Sequence, residues 1–255
     1  MYTGKPISPP PNSNTLNYTA CSDVTTPKCL RLLYGFDSYK PTEAKNGKNS
    51  IAVVEYLSEY AQHNNLEAAL EQFTVPYFGK QAARETFTVI GNAGNPQGEQ
   101  YSGIEAELDI QVVTQLTYPT DTVMYSILYD NESDSIWNEW LATVLGQESV
   151  PPTISTSYGD NEQDDTYLYA TRVCTEMMEL GAQGVTLLFS SGDSGVASYF
   201  QTCDGPDNNI FVPSFPSTCP YVTSVGATKL YPDGTERAVK EPLAPTYSSG
   251  GGMSI

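Results

Sequence analysis

Histidine is almost missing from this sequence, and so is positive charge. One histidine, His63, and 12 Lys plus Arg stand among 255 residues, against 30 Asp plus Glu, for a formal charge of −18 and an isoelectric point near 4.2. A surface this negative repels nucleic acid and anionic lipid, so neither is expected as a partner. No apolar run approaches the roughly 20 residues of a membrane-spanning helix. None of the five cysteines falls in a CxxC, and with a single histidine a zinc site is not expected. The balance suits a secreted or vesicular protein, or one working in acid, where many carboxylates are neutral. At this length a sizeable core can be buried, and 18 Tyr and 8 Phe add aromatic bulk to it.

Cys21 with Cys29, and Cys203 with Cys219, each bracket a Pro-, Asp- or Ser-rich loop that a disulfide would staple. Cys174 falls in a helical pattern and reads as a buried free thiol. Sequons at Asn17 and Asn131 fit a secreted glycoprotein. The opening residues are polar and Pro-rich with no signal-peptide core, and the last ones lie inside a glycine-rich turn, so both ends read as cut.

Residues 1–28 read as an extended arm, and residues 29–255 as alternating strands and helices. Strands are expected at 50–56, 86–90, 123–129, 153–158, 185–189 and 221–225. Helices are expected at 65–73, at 136–145 with Trp137, Trp140, Leu141 and Val144 on one face, and from Tyr167 to a C-terminal cap at Gly181. The run Val185–Phe189 suits a strand covered on both faces. Such alternation predicts an α/β fold with a mainly parallel sheet, whose chemistry gathers beyond the strands' C-terminal ends.

Two segments carry candidate chemistry. Directly after Phe189, Ser190-Ser191-Gly192-Asp193-Ser194-Gly195 makes a tight turn that presents Asp193 at the rim of the sheet. An Asx-turn would account for it equally well. A trypsin-like reading with Ser194 as nucleophile fails, because it needs a histidine base and an all-β fold, and His63 reads as a solvated loop or cap residue. Ser102–Val113 alternates like a strand, yet three acids on one strand face would repel and its residues are good helix formers. Ser102 with Glu105 makes a capping box, and on the resulting helix Glu105 and Asp109 are i, i+4 neighbours, with Glu107 pointing elsewhere. Two carboxyls beside Ile104, Leu108 and Val112 would share a proton and form a base suited to acid. The spacing alone leaves open that Glu105 only caps and Asp109 only solvates.

Gly103-Ile104-Glu105-Ala106-Glu107-Leu108-Asp109 resembles the helix motif of the sedolisins, the serine-carboxyl peptidases that include fungal tripeptidyl-peptidases. Leu188 to Val196 resembles their oxyanion-site motif. Ser157-Tyr158-Gly159-Asp160, Arg172-Val173-Cys174, Phe215 to Thr228, Cys29-Leu30-Arg31 and Ser249-Gly250-Gly251-Gly252 are similar too, in the same order along the chain. The resemblance implies a subtilisin-like fold and a Ser-Glu-Asp triad. Glu105 would be the general base, Asp109 would orient it, and Asp193 would donate a proton to the oxyanion. Ser157, Tyr158 and Gly159 would hold the substrate backbone as an added strand. It also implies calcium in the intact protein, with ligands absent from this chain, an activating propeptide, secretion, and peptide or protein substrates, with tripeptide release favoured.

One departure matters. The family's Ser-Gly-Thr-Ser-type nucleophile segment lies downstream of the glycine-rich turn, and no Gly-Thr-Ser occurs here. The chain alone is therefore expected to be inactive and to lack the sheet's C-terminal elements, leaving an exposed apolar face where they would dock. A truncated, non-catalytic peptide-binding paralogue is one alternative. Another is a glycosidase using these carboxyls, which acids one helical turn apart suit poorly.

Overall fold

The computed structural model describes residues 18–39, 49–128, 136–197, 203–205, 210–238 and 248–250. Its centre is a six-stranded, wholly parallel sheet. In chain order the strands are β1 (Ser50–Glu55), β2 (Phe87–Ile90), β3 (Asp121–Ser126), β4 (Thr153–Thr156), β6 (Thr186–Ser190) and β8 (Thr223–Val225). They lie side by side as β2-β3-β1-β4-β6-β8. The expected strands at 50–56, 86–90, 123–129, 153–158, 185–189 and 221–225 are all present, most of them shorter by a residue or more.

Helices cover both faces, because a strand's side chains alternate and both sets here are apolar. Val53, Phe87 and Met124 pack under α3 (His63–Phe73) and α5 (Ile104–Thr117), against Leu66, Leu70, Ala106 and Ile110. Ala52, Val54, Tyr125 and Ile154 face the other way, against α6 (Ile136–Leu145) and α7 (Tyr167–Ala182). The helix α6 has the bounds expected of it, and Trp137, Trp140, Leu141 and Val144 are all buried. Truncating the wholly buried Trp140 would cost about 3–5 kcal/mol.

Several expectations need correction. The residues Tyr18–Asp23, read as extended arm, form helix α1, which a Cys21–Cys29 disulfide ties to α2 (Pro27–Leu33). The second disulfide joins Cys174 to Cys219, with Cα atoms 5.3 Å apart, and leaves Cys203 as the free thiol. The loop before β8 folds back onto α7, so spatial neighbours replace sequence neighbours. The helix α7 runs past Gly181 to Ala182, and the left-handed residue that ends the segment is Gly184 (φ 91°). On β6, Leu187 and Phe189 are buried while Leu188 is half-buried and Thr186 exposed, so only one face is fully covered. His63 is solvent-exposed, as expected, and sits at the N-terminus of α3 next to the N-cap Gln62, where it stacks on Phe87 and shares a hydrogen bond of 3.1 Å with Thr86. The sequons at Asn17 and Asn131 lie outside the described residues. At the sheet's edge all of β8 is exposed, Val225 included.

Among the described residues no helix is long and apolar enough to cross a membrane.

Candidate active site

The carboxyls gather beyond the C-terminal ends of β1, β4 and β6, as a parallel sheet favours. The segment 102–113 is a helix, with Glu105 in the first turn of α5 and Asp109 one turn later. Its cap differs from the sequence reading. The N-cap is Gly103, without a side-chain hydrogen bond, and the Ser102 hydroxyl donates to Glu107 rather than pairing with Glu105. A Cβ at Gly103 would run into Glu59, its backbone Cα as well as its carboxyl, which favours glycine there. Glu59 is carried there by Leu57 (φ 56°) and Ser58 (φ 62°), two left-handed non-glycine residues of the kind that cluster at functional sites.

The Ser157 hydroxyl, just past β4, donates to Asp109 Oδ2 at 2.7 Å. Burial pushes the Asp109 carboxyl up to about 6, against that hydrogen bond. Glu105 is also raised, first by burial, then by the charge of Asp109, with Asp193 and Glu59 adding to it. Two such neighbours cannot both be ionised cheaply, so in acid they hold a proton between them. Burial acts on both carboxyls and the charge of Asp109 acts on Glu105, so the two titrate as one pair.

Asp193 reaches solvent at the rim, yet the turn around it desolvates its carboxyl enough to raise it. Gly192 (φ 89°) and Gly195 (φ 65°) supply the left-handed conformations of the turn. Residues 248–250 clamp it, Ser248 N donating to Asp193 O at 2.7 Å, Gly195 N to Ser248 O at 3.0 Å, and Gly250 N to Gly192 O at 2.8 Å. The short strands β5 (Asp160–Asn161) and β7 (Ser214–Phe215) pair antiparallel and place Ser214 against both Gly159 and Gly192. Gly159 and the Asp193 turn thus lie on either side of Ser214.

The sequence reading missed Glu55. It ends β1, is 1% exposed, and is pushed up to about 9 by burial and then by the charge of Asp109. Tyr158 Oη donates to its Oε2 at 3.2 Å, while Oε1 has no partner among the described residues. Neighbouring charge and burial raise the Tyr158 hydroxyl as well, so both groups stay protonated through acid and neutral pH. A signal was available: Glu55 shares the strand parity of Val53, which points it to the α5 side. A carboxyl in a buried apolar strand should have marked a site.

Among the described residues no group of three or more His, Cys, Asp or Glu side chains could hold a metal ion.

No family profile matches the chain. It is 35% identical over 246 residues to the probable tripeptidyl-peptidase SED2 of Arthroderma benhamiae, covering 91% of this chain and 39% of that protein. Identity to the tripeptidyl-peptidase SED2 of Arthroderma otae is 35% over 249 residues, with the same coverage. The tripeptidyl-peptidase sed4 of Aspergillus fumigatus is 31% identical, over 84% of this chain and 37% of that protein. The chain thus spans about two fifths of the length of these relatives. Among solved structures, Pseudomonas sedolisin, a serine-carboxyl proteinase, superposes with a TM-score of 0.65 at 21% identity, over 90% of this chain and 63% of that one. That likeness shows the fold, a subtilisin-like parallel α/β architecture.

Proposed function

Because the chain is a homologue of the sedolisin-like tripeptidyl-peptidases, we propose that it supplies most of the acid–base machinery of a serine-carboxyl peptidase acting on peptides in acid. The carrying observation is the Glu105–Asp109 pair, desolvated together beside Ser157 and facing Asp193. Glu105 takes the proton of an attacking serine hydroxyl, and Asp109 orients and tunes it. Asp193, protonated below its raised value, donates to the oxygen on which negative charge develops. The substrate backbone lies along Ser157–Gly159 as an added strand. A histidine base would be protonated at such a pH, which accounts for its replacement by a carboxyl pair.

The serine belongs to a segment outside these 255 residues, so this chain alone is inactive. For the whole protein the reading adds release of tripeptides from substrate N-termini, a propeptide, calcium held by residues outside this chain, and a secreted or acid-vesicle location. The test is a chromogenic tripeptide substrate at about pH 4, offered to the 255-residue chain and to the complete gene product. Turnover by the complete product only is expected. Turnover by the 255-residue chain that Glu105→Ala abolishes would overturn the assignment of the nucleophile.

A further inference from the structure

Glu107, two residues from each member of the pair, has no part in the chemistry above, yet it is the most heavily hydrogen-bonded carboxyl of α5. Its Oε1 accepts from Gln62 N at 3.1 Å, Asn65 Nδ2 at 2.8 Å and Ser102 Oγ at 2.8 Å, and its Oε2 accepts from Gln111 Nε2 at 2.8 Å. These partners come from the cap and first turn of α3, from the segment leading into α5, and from α5 itself.

The frame extends further. Gln62, 2% exposed, accepts from Gly98 N at 2.6 Å and donates to Pro96 O at 3.3 Å. Asn95 and Gln97 both donate to Ala61 O, and His63 N donates to Gln97 Oε1. Gly103 N closes the frame on Tyr60 O at 2.9 Å. At about 100° per residue, Glu107 projects roughly 160° from Glu105 and Asp109. A carboxyl bonded on that side resists both rotation and sliding of the helix. The N-cap of α5 has no side-chain hydrogen bond, so the usual anchor of a first turn is missing and this frame takes its place.

We propose that Glu107 is a positioning residue, which fixes the first turn of α5 so that Glu105 stays against Asp109 and Ser157. The proposal rests on Glu105 and Asp109 being the base and its orienting partner. Catalytic groups must be held to about 0.5 Å, and a shift of about 1 Å can cost about a hundredfold in rate. Ala106 and Ile110, buried on the sheet side, set the depth of the helix but present smooth apolar surface that permits a small rotation.

The experiment uses the 255-residue chain, with Glu107→Ala and Glu107→Gln, read by thermal unfolding and by 13C titration of the labelled carboxyls. In Glu107→Ala the titration of Glu105 is expected to fall toward the ordinary value, as it leaves Asp109 for water. Glu107→Gln keeps an oxygen acceptor for three of the four donors and should restore most of the shift. A folded Glu107→Ala whose Glu105 and Asp109 titrate as in the wild type overturns the proposal, whatever its melting temperature. Should Glu107→Ala not fold, Asn65→Ala combined with Ser102→Ala removes two of the four bonds and leaves the carboxyl. Unchanged titration there overturns the proposal equally. No readout depends on peptide cleavage, so a failure of the peptidase assignment would show separately, in the assay of the complete product.

Discussion

Replacing Glu55 by glutamine should stabilise the protein near neutrality and leave it almost unchanged in acid. The carboxyl is 1% exposed and titrates at about 9 in the folded chain, against 4.5 when free. A folded-state value above the unfolded one means that the group's contribution to stability is full below about pH 4.5. It is then lost progressively as the pH rises toward about 9. Each unit in that window costs about 1.4 kcal/mol, so at about pH 7 the wild type carries a penalty of about 3 kcal/mol that is absent at about pH 4. Glutamine has the shape of the protonated acid, accepts the Tyr158 hydroxyl equally well, and never ionises. Any packing offset it introduces is the same at both pH values. Denaturant unfolding of wild type and Glu55→Gln at each pH isolates the difference, which should favour the variant by about 3 kcal/mol more at the higher pH. Equal effects at the two pH values would mean that Glu55 is not held neutral, and the desolvated carboxyl group behind Asp109 would have to be abandoned.

Asp109→Asn removes the charge next to Glu105 and leaves its partial burial, so the Glu105 titration should move down toward 4.5 in a 13C experiment. An unchanged midpoint would show that the two carboxyls are not coupled. Cys219→Ser opens a disulfide of sequence separation 45, which chain entropy values at about 4 kcal/mol. Denaturant unfolding should show that loss, and the denatured variant should react at two thiols, Cys174 and Cys203, in place of one.

Much of the fold was legible because one periodicity dominated each segment. The spacing of Trp137, Trp140, Leu141 and Val144 admits only a helix face, and those four side chains are buried. The short, mostly apolar run 50–56 marked a strand, and its two apolar sets line the two cores. The helix over 102–113 was legible from propensity and charge repulsion, and it brings Glu105 and Asp109 together. Where sequence reasoning failed, the deciding contact was long-range. Cys174 looked unpaired because its partner is brought by the loop before β8, 45 residues on. Glu55 looked like the end of a strand, because nothing local announces Tyr158 Oη, 103 residues away. The supposed capping box of Ser102 with Glu105 is instead part of the Glu107 frame, whose other members lie near residues 60–65 and are silent in the local pattern.

The account stands or falls on Glu105 as a base. Steady-state kinetics of tripeptide release by the complete gene product at about pH 4, with and without Glu105→Ala, measures that role directly. The predicted result is a fall in kcat of at least about ten-thousandfold with KM nearly unchanged. A kcat within tenfold of the wild type would contradict the central claim.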